Sequence, residues 1–299
     1  MIVRKKILTI LVVFLCLNIF SQNRENNELI KTIKNLISTK KAKVGISIIG
    51  IGKNELIQIN ADELFPMLST VKFPITLTIL NKIEKGELLM DQKIFIKKEE
   101  LLENTWSPFK EKYPEGNISV TLEEAMKWMV SYSDNNITDI LLRLIDGTQS
   151  VQTFIKSKKF IIKNNEEEMH ENWEAQFVNK ITPNEAVFLL KQFSKGKILN
   201  KQNTQWLYNA MLNNTTGQKR IKAKLLPSVK VAHRTGTSFT NKEGMTGAVN
   251  DFGIIELPNK KKIYIAVFIR DTYESFEISE EIIADIAKVT YDFYIHKKD

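Results

Sequence analysis

The apolar residues of this chain change their spacing twice, and that change bounds the fold. Lys43 to Ile49 and Glu55 to Ile59 partly alternate apolar and polar residues around Gly50-Ile51-Gly52, the pattern of a β-hairpin. Val229 to Thr237, Met245 to Leu257 and Lys261 to Arg270 read as three more strands. Between these β regions the spacing is helical. Val71, Phe73, Ile75, Leu77, Ile79, Leu80 and Ile83 predict a helix from Ser69 that ends at Gly86. Pro74 falls early in it, where some N–H groups lack partners anyway. Thr121-Leu122-Glu123-Glu124 and Thr182-Pro183-Asn184-Glu185 read as capping boxes, and Asn136 to Ile145 carries another apolar stripe. Glu28 to Ser38 and Ile278 to Tyr294 add a helix at each end.

The simplest arrangement is an α+β fold. One antiparallel sheet of about five strands is built from both termini and flanked by terminal helices, with an all-α lobe inserted between them. The α/β lobe takes residues 22–64 and 223–299, and the helical lobe residues 65–222. A cleft between the lobes is the expected ligand site.

Residues 1–21 stand apart. Arg4, Lys5 and Lys6 precede an apolar run from Ile7 to Phe20, too short for a bilayer span but the form of a secretory signal peptide cleaved near Ser21. The expected location is therefore periplasmic or secreted, without a stable membrane anchor. Cys16 is the only cysteine, so the mature chain makes no disulfide and its core carries the stability. Losing the three basic residues lowers the formal charge from +8 to +5. The remaining excess is dispersed, and Lys260 to Lys262 follows Pro258-Asn259 as a hairpin turn would, which argues against a nucleic-acid partner. His170, His233 and His296 are far apart in sequence and have no cysteine partners, so no metal site is expected.

Ser69-Thr70-Val71-Lys72 places a serine and a lysine on one helical face, where the lysine serves as the base a hydroxyl nucleophile needs. The same spacing begins at Ser38, Ser107 and Ser194. Only Ser69 opens an apolar helix, where the positive helix end stabilises developing negative charge. Ser133-Asp134-Asn135 lies between two helices and reads either as a cap or as part of a site. Arg234-Thr235-Gly236-Thr237 reads either as a polar strand end or as a carboxylate grip, with Gly236 leaving room for a substrate to approach the backbone.

Taken together, the order S-x-x-K, S-D-N, K-T-G is the signature of class A β-lactamases and penicillin-binding proteins. Here Ser133 follows Ser69 by 64 residues and Arg234 follows Ser133 by 101. The chain resembles a class A serine β-lactamase over essentially its whole mature length. His170, and Thr215-Thr216-Gly217 followed by Arg220, are similar to the extended-spectrum cephalosporinase branch typified by PER and VEB enzymes. The resemblance implies hydrolysis of a small-molecule β-lactam by a monomer without a cofactor. Ser69 would attack the lactam carbonyl, Lys72 would help remove its proton, and Ser133 would relay a proton to the lactam nitrogen. Asn135 would bind the substrate's side-chain amide. The N–H groups of Ser69 and Thr237 would form the oxyanion hole. Arg234 and Thr235, with the Thr237 hydroxyl, would hold the substrate carboxylate. Trp106 would stand at the cleft mouth, its other reading being a core tryptophan. Arg220 would be a second carboxylate-binding cation, with Lys222 aligning almost as well.

The acidic run Glu166-Glu167-Glu168 decides between hydrolysis and mere acylation. Glu166 matches the base that activates the deacylating water, and His170 stands where most of the family has an asparagine that helps hold it. Arg234 replaces the more usual lysine and changes a point charge to a planar fork. Asn164 and Asn179 stand where many relatives have an arginine–aspartate bridge, so the closure of this loop needs another explanation. A D,D-peptidase or penicillin-binding protein, or a non-catalytic β-lactam sensor, shares the three motifs. Glu166 argues against the peptidase, and the lack of any segment beyond a signal-like one argues against the sensor.

Overall fold

A computed structural model describes residues 25–52 and 55–297. The expected signal segment lies outside the described residues. Helix α1 spans 25–37 and leads into β1 (Lys43–Ile49) and β2 (Leu56–Ile59). Next come β3 (Phe65–Pro66), a 3-10 turn Leu68–Val71 and α2 (Lys72–Glu84). The middle of the chain holds β4 (Lys93–Ile96), α3 (Pro108–Lys112), β5 (Ile118–Thr121), α4 (Leu122–Ser131), α5 (Asn135–Leu144) and α6 (Thr148–Ile155). It continues with β6 (Phe160–Ile161), α7 (Glu166–Met169), β7 (Lys180–Ile181), α8 (Pro183–Ser194) and α9 (Lys201–Leu212). The chain closes with β8 (Val231–Thr237), β9 (Thr246–Glu256), β10 (Lys262–Thr272) and α10 (Phe276–His296).

Strands from both ends form one antiparallel sheet in the order β2-β1-β10-β9-β8, as the change of period predicts. Its central strands are apolar on both faces because both faces are covered. Ile263, Ile265, Val267 and Ile269 of β10 pack with Leu29 and Ile33 of α1 and Ile282, Ile283 and Ile286 of α10. The intervening Tyr264, Ala266 and Phe268 join the core of the helical region. Short strands also thread that region, β3-β7-β6 and β4-β5, which helical periodicity alone did not separate.

Two local expectations change. The helix read from Ser69 begins as a 3-10 turn, and α-helical geometry starts at Lys72. Thr121 and Thr182 cap α4 and α8 by accepting the N–H of Glu124 and Glu185, while a reciprocal capping box forms instead between Asn165 and Glu168 at α7. The nucleophile helix is pinned through Phe73, whose ring meets Phe193 of α8 and Phe252 of β9 edge-on at 5.4 and 5.5 Å. The cleft lies where this helix end, α5, α7 and the free edge strand β8 converge.

Candidate active site

Two non-glycine residues hold left-handed backbone beside the motif serines. Leu68, just before Ser69, has φ 48°, and Ser133 itself has φ 62°. Such conformations persist only where packing enforces them. They turn both hydroxyls toward Lys72, which is fully buried. Its Nζ lies 2.9 Å from Ser69 Oγ, 3.5 Å from Ser133 Oγ, 2.6 Å from Asn135 Oδ1 and 2.7 Å from Glu166 Oε1. Burial lowers the Lys72 pKa, and the Arg234 charge lowers it further against the opposing pull of Glu166. Asp134 serves as the N-cap of α5, accepting Ile137 N–H, and also binds Ser107 and Phe109 N–H. Ser133-Asp134-Asn135 is therefore both a cap and a site element.

Glu166 is buried at the first position of α7. A residue from another helix holds it there. Asp139 of α5 accepts Glu166 N–H on Oδ1 at 2.7 Å and Glu167 N–H on Oδ2 at 2.9 Å. Burial, and then the nearby Glu166 charge, push the Asp139 carboxyl up to about 6. The 163–179 loop is closed without an ion pair between positions 164 and 179. Asn179, fully buried, accepts Lys163 and Asn164 N–H on Oδ1 and donates through Nδ2 to Asn164 O. Asn164 Nδ2 in turn donates to Ala175 O. His170 donates Nδ1–H to Glu166 O at 2.6 Å and meets Phe239 edge-on, so in the neutral ring Nε2 is an acceptor.

On β8, Ser238 N–H returns to Ala248 O, so the ladder's alternation turns Thr237 N–H toward the open edge and the cleft. A Cβ at Gly236 would lie 2.4 Å from Met67 O and 3.2 Å from Ser69 N, so its missing side chain also admits the nucleophile turn. Arg234 is fully buried, donates to Ser133 Oγ at 2.7 Å, and has its pKa lowered to about 10 by burial. Among the described residues no carboxylate forms a salt bridge with it. Arg220 is buried behind Thr237, donating to Thr237 Oγ1 at 2.6 Å and pairing with Glu280. Among the described residues Lys222 makes no such contact.

A cleft of about 550 Å³ is lined by Ser69, Ser133, Asn135, Glu166, His170, Thr235, Gly236 and Thr237. Trp106 forms its outer wall at 55% exposure and donates Nε1–H to Tyr132 O, so the mouth reading holds over the core reading. Lys72, Arg234 and Arg220 stand behind this lining. Asn135 is tied to Lys72 through Oδ1 and to Thr105 through Nδ2. Sequence reasoning missed Asp139 and Phe239, and named Thr216 only within Thr215-Thr216-Gly217, without a role. Asp139 sits one helical turn after Asn135, a spacing that could have flagged it, whereas Phe239 carries no sequence signal of its own.

Residues 28–294 match the β-lactamase enzyme family. The chain is 41% identical to the β-lactamase VEB-1 of Pseudomonas aeruginosa over 98% of this chain and 99% of that one. It is 33% identical to the extended-spectrum β-lactamase PER-1 of Pseudomonas aeruginosa, over 93% and 91%. The crystal structure of the TLA-1 extended-spectrum β-lactamase superposes with a TM-score of 0.88 at 44% identity, over 90% of this chain and 99% of that one. Full-length likeness and a serine–lysine–glutamate cluster at the head of a filled fold meet in one conclusion: the chain belongs to the class A serine β-lactamases.

Proposed function

We propose that this enzyme opens β-lactams, cephalosporins foremost, through an acyl-Ser69 intermediate that Glu166 releases. The observation that carries the reading is Lys72 Nζ, within 2.9 Å of Ser69 Oγ and 2.7 Å of Glu166 Oε1 at once. Lys72, its pKa lowered by burial, passes a proton to Glu166 and, as the neutral amine, takes the Ser69 proton as Oγ bonds to the lactam carbonyl carbon. The N–H groups of Ser69 and Thr237 receive the oxyanion. The ring C–N bond then breaks, Ser133 passes a proton from Lys72 to the departing nitrogen, and Glu166 returns its proton to Lys72. In the second half, Glu166 takes a proton from water as its oxygen attacks the ester carbon, and Ser69 Oγ leaves with a proton from Lys72. His170 Nε2 accepts a hydrogen bond beside that water.

Arg234, buried without a carboxylate, takes the substrate carboxylate as its counterion together with Thr235 and Thr237, and Arg220 supports Thr237 from behind. Asn135 reaches the side-chain amide, and Trp106 and Phe239 border the acyl side chain. PER-1 and TLA-1 are named as extended-spectrum enzymes, which supports cephalosporins as good substrates here. The basic and apolar start of the sequence supports export to the periplasm; among the described residues no helix is long and apolar enough to cross a membrane. The test is hydrolysis of a chromogenic cephalosporin by the purified mature enzyme and by Ser69→Ala. Turnover by the first and none by a folded second is expected. Stable labelling of Ser69 without turnover would favour the peptidase or sensor reading.

A further inference from the structure

The first two N–H groups of α7 have no partner within that helix. Asp139 of α5 takes both, Glu166 N–H on Oδ1 at 2.7 Å and Glu167 N–H on Oδ2 at 2.9 Å. Glu168 N–H turns back to Asn165, and His170 turns back to Glu166 O, so those bonds stay inside the 163–179 loop. Among the described residues, the Asp139 bonds and the Lys72–Glu166 ion pair are therefore the polar ties between residues 165–170 and the fold outside that loop. A helix of four residues does not hold itself without such support. One carboxylate thus sets the segment that carries the deacylating base against α5.

That carboxylate is buried, yet a cavity of about 260 Å³ reaches it. Glu103, Glu166, Glu167 and His170 line the cavity with Asp139, and the other lining side chains carry no charge. Neither α3 nor α4 puts a titratable group into this lining. Lys72 of α2 is the opposing charge nearby, and it is engaged by Glu166 directly at 2.7 Å. On α5 itself Arg143, one turn on, pairs with Glu100. Burial, and then the Glu166 charge, push the Asp139 carboxyl up to about 6. Protonation changes its grip. Ionised, both oxygens accept charge-assisted bonds, roughly twice as strong as neutral ones. A hydrogen on one oxygen removes the charge and leaves that oxygen a poor acceptor for the N–H it faces.

We propose that Asp139 is a proton switch on deacylation: ionised, it holds Glu166 in place, and protonated, it loosens the first turn of α7. Asp139 touches neither the substrate nor the reacting atoms, and acts through the backbone of Glu166 and Glu167. The ionised form is the active one, so deacylation is full above the titration and falls as pH drops through it. The proposal rests on the reading of Glu166 as the deacylating base.

The test is single-turnover deacylation of a cephalosporin acyl-enzyme between pH 5 and 7.5. The wild-type rate should fall about fivefold toward acid, with its midpoint at about 6, roughly the loss of one hydrogen bond. Asp139→Asn should give a level profile near the wild type's acid value. His170→Gln should keep the fall, which separates Asp139 from the histidine of the same cavity. A wild type without the fall, an unaltered fall in Asp139→Asn, or a level profile in His170→Gln overturns the switch. A merely structural Asp139 would lower the rate of Asp139→Asn and leave the fall in place. A wild type that forms acyl-Ser69 and never releases it contradicts the reading of Glu166, and the switch with it. Proton NMR of the free wild-type enzyme needs no substitution. The amide resonances of Glu166 and Glu167 should move together through pH about 6, and resonances that stay fixed overturn the proposal.

Discussion

A buried ammonium needs a carboxylate, and Lys72 has Glu166 at 2.7 Å. Burial, and then the same carboxylate, raise the pKa of its neighbour Asp139, whose two backbone bonds hold α7 in place. That arrangement has a pH signature. The native Asp139 carboxyl, at about 6, holds its proton more tightly than the ordinary value of 3.8 in the unfolded chain. Its favourable contribution to stability is therefore full below 3.8 and is lost as pH rises through about 6. Relative to Asp139→Asn, the wild type should lose stability between pH 4.5 and 7.5, measured as urea midpoints; parallel profiles would contradict this. Asp139→Asn should also slow deacylation, because one amide oxygen replaces two carboxylate acceptors and leaves an N–H of α7 without its partner. His170 acts beside it, through the Glu166 carbonyl. His170→Ala should lower the deacylation rate more than the acylation rate, which single-turnover kinetics can separate.

At the scale of elements, the 163–179 loop shows what the sequence could and could not tell. Its acidic run and its place in the chain were legible, because chemistry by residue type survives in one dimension. Its closure was not. A missing arginine–aspartate bridge left the loop without a visible clasp, and the two asparagines that replace it act through backbone groups whose positions no spacing predicts. Asn179→Ala would orphan the N–H groups of Lys163 and Asn164 and should cost about 2 kcal/mol. Faster hydrogen exchange across the loop and slower deacylation are the expected readouts; unchanged exchange would contradict the clasp. The strands were easier to read, since β10 is one apolar run between turns. The start of the nucleophile helix was harder, because the 3-10 turn depends on the left-handed backbone of Leu68, which an apolar spacing cannot reveal.

On the scale of the whole molecule, one sheet separates two cores, and the site sits where the sheet's free edge meets the helical core. Ser69, Lys72 and Ser133 come from the helical side, and Arg234 to Thr237 from the sheet. Gly236 lets the two sides touch, with no room for a Cβ beside Met67 O. Catalysis therefore depends on contacts that cross the interior, which is why motifs far apart in sequence form one cluster. Glu166 is the group proposed to free the acylated Ser69, and mass spectrometry of Glu166→Ala after mixing with a cephalosporin reads that step. A lasting mass increase is expected on the peptide carrying Ser69, absent from Ser69→Ala and short-lived in Glu167→Ala and Glu168→Ala. Full turnover by Glu166→Ala, or lasting adducts in Glu167→Ala or Glu168→Ala instead, would contradict it.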